Sequence, residues 1–414
     1  MAKCKYYAVV IGRVVGIYDD WESCERQVEG FPYAEYKGFE DPESCMQWFL
    51  EHRQKRNPSL PQRAAGARPA TKSYMVIAGR HPGQYDTWTE CKEQVDGFSG
   101  AEYISFKHND NLQASFLDDV LQPDERYPFN RPLDLPRGLQ TAITELFGVS
   151  SLDEVDAQKC AELRNGHIDF DYCKRTDYRQ REENYLLTYL PAHYYKCWQP
   201  LSYALENHLL ANHLRVLEIG AGPGTTTLAL IDFYNRLARE NRDTKFVIQY
   251  DLIEAQPGFI KIFKFLYERI QQDLALNLHL YVRCQQGEFV DLLPTLPDAA
   301  YDLFIESNVL NASEGLKNAD AALVTSQAQR ALVPGGLAML VEPRQYKSRF
   351  KTDIWSYFDE TECWDTLLAP EVAEVDDSGI SMQDAICALG LRSQKVRSHA
   401  FVSAIYMKKE EGQS

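Results

Sequence analysis

The residues best suited to chemistry are Arg215-Val216-Leu217-Glu218-Ile219-Gly220-Ala221-Gly222-Pro223-Gly224-Thr225-Thr226-Thr227. An apolar run meets a carboxylate, Glu218, two residues before the first of three glycines spaced G-x-G-x-G. Glycines let a backbone turn approach a ligand without Cβ clashes. The spacing differs from the G-x-G-x-x-G of dinucleotide-binding turns. A helix over 225–239 is expected to open from the turn. A second apolar run, Phe246 to Ile253, ends in another carboxylate, Glu254.

The elements that must position this turn follow in order. Leu278 to Cys284 reads as a third strand, Tyr301 to Ile305 as a fourth, and Ala331 to Pro343 as a helix end, a Pro-Gly-Gly turn and a fifth strand. Phe401 to Met407 reads as a terminal strand. Upstream, Leu139–Phe147 and Leu152–Leu163 have amphipathic helical spacing, and a tyrosine-rich stretch runs from Tyr185 to Tyr195. These are expected to cover the sheet edge and the cleft. The whole resembles class I S-adenosylmethionine-dependent methyltransferases. That resemblance implies an α/β fold, a Rossmann-like seven-stranded sheet with an N-terminal helical extension, and S-adenosyl-L-methionine as cofactor. It implies that Glu218 holds the donor's ammonium, directly or through water, and that Gly220, Ala221, Gly222 and Gly224 form the cradle. Glu254 would accept from the ribose hydroxyls, with Glu288 at the adenine position and Asn308 beside the cofactor. No metal is implied.

In such enzymes the fourth strand exits toward the methyl acceptor. Here the exit reads Glu306-Ser307-Asn308-Val309, without the [N/D]-P-P-[Y/F/W] loop of base amino-group methylation. Cys284, the nearest cysteine, reads as a strand thiol and not as a nucleophile. Alignment of an already nucleophilic acceptor remains, with Asn308, Glu306 and His193 as candidates to orient or deprotonate it. Tyr189-Leu190-Pro191-Ala192-His193-Tyr194, Ser307-Asn308-Val309-Leu310-Asn311-Ala312 and Leu340-Val341-Glu342-Pro343 also resemble the mitochondrial small-ribosomal-subunit methyltransferase-like family, although that family's metal-binding cysteine cluster is missing.

Upstream lies a repeat. Tyr6-Tyr7-Ala8-Val9-Val10-Ile11-Gly12-Arg13, Trp21, Gln27-Val28, Gly30-Phe31 and Ala34-Glu35-Tyr36 return without a gap as Ser73-Tyr74-Met75-Val76-Ile77-Ala78-Gly79-Arg80, Trp88, Gln94-Val95, Gly97-Phe98 and Ala101-Glu102-Tyr103. Each copy predicts a small α+β module: strand, turn, strand, helix, strand, helix, with Pro42 opening the last helix in the first. The pattern resembles the N-terminal hybrid-binding domain of eukaryotic ribonuclease H, also found in caulimovirus viroplasmin. It implies binding of RNA or RNA/DNA hybrid through Tyr7, Trp21 and Lys37 in copy one and through Tyr74 and Trp88 in copy two. Copy two has Ile104 where copy one has Lys37, and both copies carry more acidic than basic residues. A protein-binding module that kept the fold is the competing expectation.

The boundaries read as 1–56 for copy one, 57–72 for a Pro/Ala linker, 73–121 for copy two, 122–136 for a Pro-rich linker, 137–212 for the helical extension and 213–414 for the methyltransferase-like domain. The linker carries Arg63, Arg68 and Lys72 without an acid, and reads equally as phosphate-gripping or merely solvated. The net charge of −16 does not advertise a nucleic-acid binder. Ten scattered cysteines without a C-x-x-C pair suit reduced thiols. Met1-Ala2-Lys3-Cys4-Lys5 shows no signal peptide and no run spans a bilayer, so a cytoplasmic or nuclear location is expected. Three readings stay open: a methyltransferase directed to RNA or hybrid, a small-molecule or protein O-/N-methyltransferase with protein-binding modules, and a non-catalytic cofactor-binding assembly factor.

Overall fold

The computed structural model describes residues 5–11, 16–18, 20–29, 35–41, 72–117, 135–148, 193–310, 318–343, 355–359, 361–376 and 398–409, with single positions 44, 45, 48, 182, 186 and 190. The predicted helix over Leu152–Leu163 lies outside them, as does most of both linkers.

Copy one contains β1 (Tyr6–Ile11), β2 (Gly16–Tyr18), α1 (Trp21–Val28) and β3 (Glu35–Phe39). Its antiparallel sheet has the order β2-β1-β3. Strand alternation sorts side chains onto two faces. Val9 packs under α1 with Cys24 and Val28, whereas Ala8 faces Cys45, Phe39 and Trp48 of the second helical segment. Copy two repeats the plan with β4 (Lys72–Ala78), β5 (Gly83–Tyr85), α2 (Trp88–Val95) and β6 (Glu102–Lys107). Helix α2 starts at a reciprocal cap: Thr87 Oγ1 accepts from Glu90 N–H, and the Glu90 carboxylate accepts from Thr87 N–H. The registers coincide, with Tyr7 opposite Tyr18 and Tyr74 opposite Tyr85, Ala8 opposite Lys37 and Met75 opposite Ile104.

The body follows with α3 (Arg137–Phe147), α4 (Trp198–Glu206), β7 (His213–Ile219), α5 (Thr225–Glu240), β8 (Phe246–Glu254), α6 (Pro257–Ile270), β9 (Leu278–Gln286) and α7 (Phe289–Leu292). It continues with β10 (Tyr301–Ser307), α8 (Asn318–Ala331), β11 (Leu332–Pro343), α9 (Ser356–Asp359), β12 (Trp364–Asp376) and β13 (Ser398–Lys408). The seven strands lie in the order β12-β13-β11-β10-β7-β8-β9, and β13 runs antiparallel to both neighbours. Both faces of the sheet are covered. One carries Trp198, Phe233 and Tyr234 against Val216, Ile248 and Met339; the other carries Val324, Phe358 and Tyr406 against Leu217, Phe304 and Leu340. The helical extension braces α5: Trp198 Nε1 donates to Ala229 O at 2.9 Å and Tyr194 Oη to Leu228 O at 3.2 Å. Among the described residues no helix is long and apolar enough to cross a membrane.

The second helical segment of copy two starts late: residues 108–114 form no helix, and 116–117 are helical. Where copy one has Pro42, copy two has Asn109, and the chain is bound to the body instead. Asn109 N–H donates to Asn212 Oδ1 at 2.7 Å, and Asn212 N–H donates back to Asn109 O at 3.0 Å. Gln113 exchanges hydrogen bonds with the Asn241 side chain, and the N–H groups of Ser115 and Phe116 donate to the Glu240 carboxylate. The sheet face of copy two is accordingly closed by the body: Met75, Ile104 and Phe106 share a core with Val247, flanked by Ile77 and Tyr281. The contact lies where β7 and β8 begin, with the Phe106 ring 4.8 Å from that of His213.

Candidate functional site

In an open parallel sheet, ligands bind beyond the carboxyl ends of the strands where the winding reverses. Here β7 is followed outward by β8 and β9 on one side, and by β10 and β11 on the other. The reversal therefore falls between β7 and β10. The glycine turn leaves β7 at this point, and Ser307-Asn308-Val309 leaves β10 beside it. A Cβ on Gly220 would lie 2.5 Å from Val309 Cγ2, so glycine is what lets the two exits meet. Gly220, Gly222 and Gly224 all have φ between +57 and +79°, a region side-chain-bearing residues avoid. A Cβ on Gly224 would strike the Phe263 ring, whereas one on Gly222 would meet nothing within 4 Å. The turn thus has one open position between two closed ones.

Carboxylates fasten this turn. Glu254, at the end of β8, accepts from Gly222 N–H at 2.8 Å through Oε2 and from Gln256 N–H at 2.7 Å through Oε1. Burial pushes its carboxyl up to about 7, the two backbone donors work against that, and nearby Glu288 adds to it. Glu288 itself is exposed at the start of α7. Glu218 is buried beneath the turn and accepts from Thr227 Oγ1 at 2.6 Å and from Tyr250 Oη at 2.5 Å. Burial raises it too to about 7, partly opposed by those two donors. At the rim, buried Thr225 Oγ1 and Asn308 Oδ1 find no hydrogen-bond partner among the described residues. Asn308 holds a left-handed backbone, φ 57°, for which asparagine is well suited.

Glu306 is fully buried, and its Oε1 accepts from the N–H groups of Val309 and Leu310 at 2.8 and 2.9 Å. Leu310 N–H also donates to Glu342 Oε1 at 2.8 Å. Both carboxyls thus accept from Leu310 N–H, and burial raises Glu306, opposed by Glu342 and by the two backbone donors. Lys196, also buried, is lowered to about 7 by desolvation, with Glu342 opposing the shift. His193 stands on the turn leading to α4, its carbonyl accepting from Lys196 N–H. Lys196 and Glu342 are additions that the sequence did not single out: no motif surrounds Lys196, and Glu342 reads as strand. Cys284 sits half-buried on β9, its thiol raised by burial, as expected of a strand thiol. Among the described residues no cluster of His, Cys, Asp and Glu could hold a metal.

In the modules, Trp21 contacts Tyr7 at 5.4 Å and Tyr36 at 5.7 Å; Trp88 contacts Tyr74 at 5.5 Å and Tyr103 at 5.2 Å. Each ladder is open to solvent, with Trp21, Tyr36, Trp88 and Tyr103 between 40 and 45% exposed. Tyr36 and Tyr103 were not singled out, although the repeated Ala-Glu-Tyr contained the signal. Lys37, consecutive with Tyr36 on β3, turns to the other face, its Nζ 5.2 Å from the Phe39 ring and 5.8 Å from that of Trp48. The structure therefore joins Tyr7 to Trp21 and Tyr74 to Trp88, and sets Lys37 apart.

Comparisons with known proteins divide the chain in the same way. Residues 5–49 and 72–112 each match the family described as the ribonuclease H1 N-terminal domain. Ribonuclease H of Crithidia fasciculata is 46% identical over 52 residues, which are 13% of this chain and 10% of that protein. The "Probable polyketide synthase 7" of Dictyostelium discoideum is 28% identical over 173 residues, 41% of this chain. The chain thus spans a small part of these relatives, 6% of the synthase. Among solved structures, an S-adenosylmethionine-dependent methyltransferase of Methanosarcina mazei superposes with a TM-score of 0.35 and 12% identity, over 49% of this chain and 96% of that one. Two segments that match the ribonuclease H1 N-terminal domain therefore precede a body built on a seven-stranded, doubly wound α/β sheet.

Proposed function

We propose that this chain is an S-adenosylmethionine-dependent methyltransferase that its tandem modules direct to RNA or to an RNA/DNA hybrid. The observation that carries the reading is the clasp of Glu254 on Gly222 at the sheet's reversal point, with open space where a Gly222 Cβ would stand. The residues fit the donor: Gly220, Ala221, Gly222 and Gly224 would cradle it, Glu218 would hold its ammonium directly or through water, Glu254 would accept from its ribose hydroxyls and Glu288 would serve the adenine side. Unpartnered Thr225 Oγ1 and Asn308 Oδ1 supply polar contacts at the rim. When bound, the sulfonium donor supplies an electrophilic methyl group.

On the acceptor side Asn308 is the group suited to orient an N–H or O–H through its carbonyl oxygen. Glu306 and Glu342, joined through Leu310 N–H, and Lys196, lowered to about 7 by burial, form a buried set able to hold or release a proton. His193 at the α4 turn is a further candidate to orient the acceptor. The modules support a polynucleotide acceptor through their exposed aromatic ladders, which suit a ligand read by shape and stacking and not by base edges.

A second reading is favoured by the stretch similar to polyketide synthases and by the acidity of both modules: transfer to a small molecule, with the modules holding protein. Radiolabelled methyl transfer into RNA, protein and metabolite fractions separates the two, with Gly222→Arg as control. Label in RNA that disappears in the variant supports the first reading. Label confined to metabolites overturns it. Donor binding without transfer to any fraction points to the non-catalytic assembly role.

A further inference from the structure

Position 37 and position 104 are the same place in the repeat, opposite Ala8 on β1 and opposite Met75 on β4. In copy one the residue is an exposed lysine whose ammonium rests over Phe39 and Trp48, on a face closed by the module's own second helical segment. In copy two it is a buried isoleucine packed with Met75, Phe106 and Val247. A lysine there would carry its charge into an apolar contact. The isoleucine at 104 and the contact with the body therefore go together. Copy two has given that face to the body, and the segment that would have covered it is tied down through Asn109, Gln113, Ser115 and Phe116.

The remaining cations of copy two are committed or remote from its ladder. The Arg80 guanidinium donates to Glu93 O and Asp96 O at the end of α2, and Lys92 pairs with Asp96. Lys72 and Lys107 oppose each other across β4 and β6, where the chain leaves for the body. Next to Trp88 in the chain are Asp86 and Glu90, whereas Glu102 turns to the dock, where it hydrogen-bonds Tyr281. Copy two therefore has no counterpart to the exposed Lys37 that copy one carries beside Tyr36.

We infer that the two copies have divided the work: copy two is a fixed part of the methyltransferase body, docked through Met75, Ile104, Phe106 and Val247, and hybrid or RNA binding belongs to copy one. The binding half rests on the function proposed above; the docking half does not.

Two measurements on the full chain test it. In hydrogen exchange, Ile104→Lys is expected to raise exchange together in residues 107–113 and in the starts of β7 and β8 (residues 212–215 and 245–248), while Lys37→Ala leaves all three as in wild type. Exchange raised in copy two alone, with 212–215 and 245–248 unchanged, overturns the dock. In filter binding to an RNA/DNA hybrid, Trp21→Ala is expected to weaken binding at least tenfold and Trp88→Ala less than twofold. Equal losses from Trp21→Ala and Trp88→Ala overturn the division. A wild-type chain that ignores the hybrid sinks the polynucleotide reading and the binding half with it, and leaves the exchange result to decide the dock.

Discussion

Glu254 and Gly222 are joined by a 2.8 Å hydrogen bond from backbone N–H to carboxylate. Through it, the end of β8 sets the shape of the turn that leaves β7. With Glu254 proposed to meet the ribose, backbone shape and ligand contact would depend on one side chain.

Glu254→Ala leaves the Gly222 and Gln256 N–H groups without their acceptor. Each lost bond of this type costs about 1–3 kcal/mol. Donor affinity in calorimetry is expected to fall at least tenfold. Glu254→Gln, which retains one acceptor oxygen, should lose less. Equal affinity in all three proteins would show that the clasp is irrelevant to binding.

Neighbouring glycines should separate folding from binding. Gly222→Ala places a methyl group in open space at a cost of about 1–2 kcal/mol for the left-handed backbone, so the chain should fold and bind donor poorly. Gly224→Ala drives a Cβ into the Phe263 ring and should lower the melting temperature far more. Thermal melts and donor titration on both variants check the contrast.

Glu218 holds its proton to about pH 7, above the ordinary carboxylate value of 4.5. Between those values the folded chain binds a proton that the unfolded chain has released. Its contribution to stability is therefore present below 4.5 and lost as pH rises through 7. The melting temperature without donor should fall across this window, and Glu218→Gln should flatten the slope. A cationic ammonium prefers the ionised carboxylate, so donor affinity should rise from pH 6 to 8 with proton release on binding. Calorimetry in buffers of different ionisation enthalpy measures that release.

Asn212 is the polar pin between copy two and the body. Its Nδ2 donates to Lys107 O and Lys245 O at 2.8 and 2.7 Å, while Oδ1 accepts from Asn109 N–H. Asn212→Ala strands these buried groups and is expected to destabilise the chain by about 2–4 kcal/mol, read as a lower midpoint in urea unfolding.

Much of the body was legible because its strands are buried on both faces and read as unbroken apolar runs, as β7 and β8 do. The glycine turn and the duplicated module were legible from spacing alone. Strand β12 was not read as a strand: Pro370 and a run of acids interrupt it, tolerable because it lies at the sheet edge with register shifts between Thr366 and Glu371. The late start of the second helical segment of copy two was not legible, since residues 109–116 are bonded to Asn212, Asn241 and Glu240 of the body. Lys196 beside Glu342 was invisible, since burial of a lysine is a property of the assembled core. The lysine missing at position 104 was visible in the sequence, but its cause, Val247, lies on a strand of another domain.

The dock also makes the duplication irreversible. Exchanging the copies would press the Lys37 ammonium onto Val247 and leave Ile104 bare to water, so neither repeat can stand in for its twin.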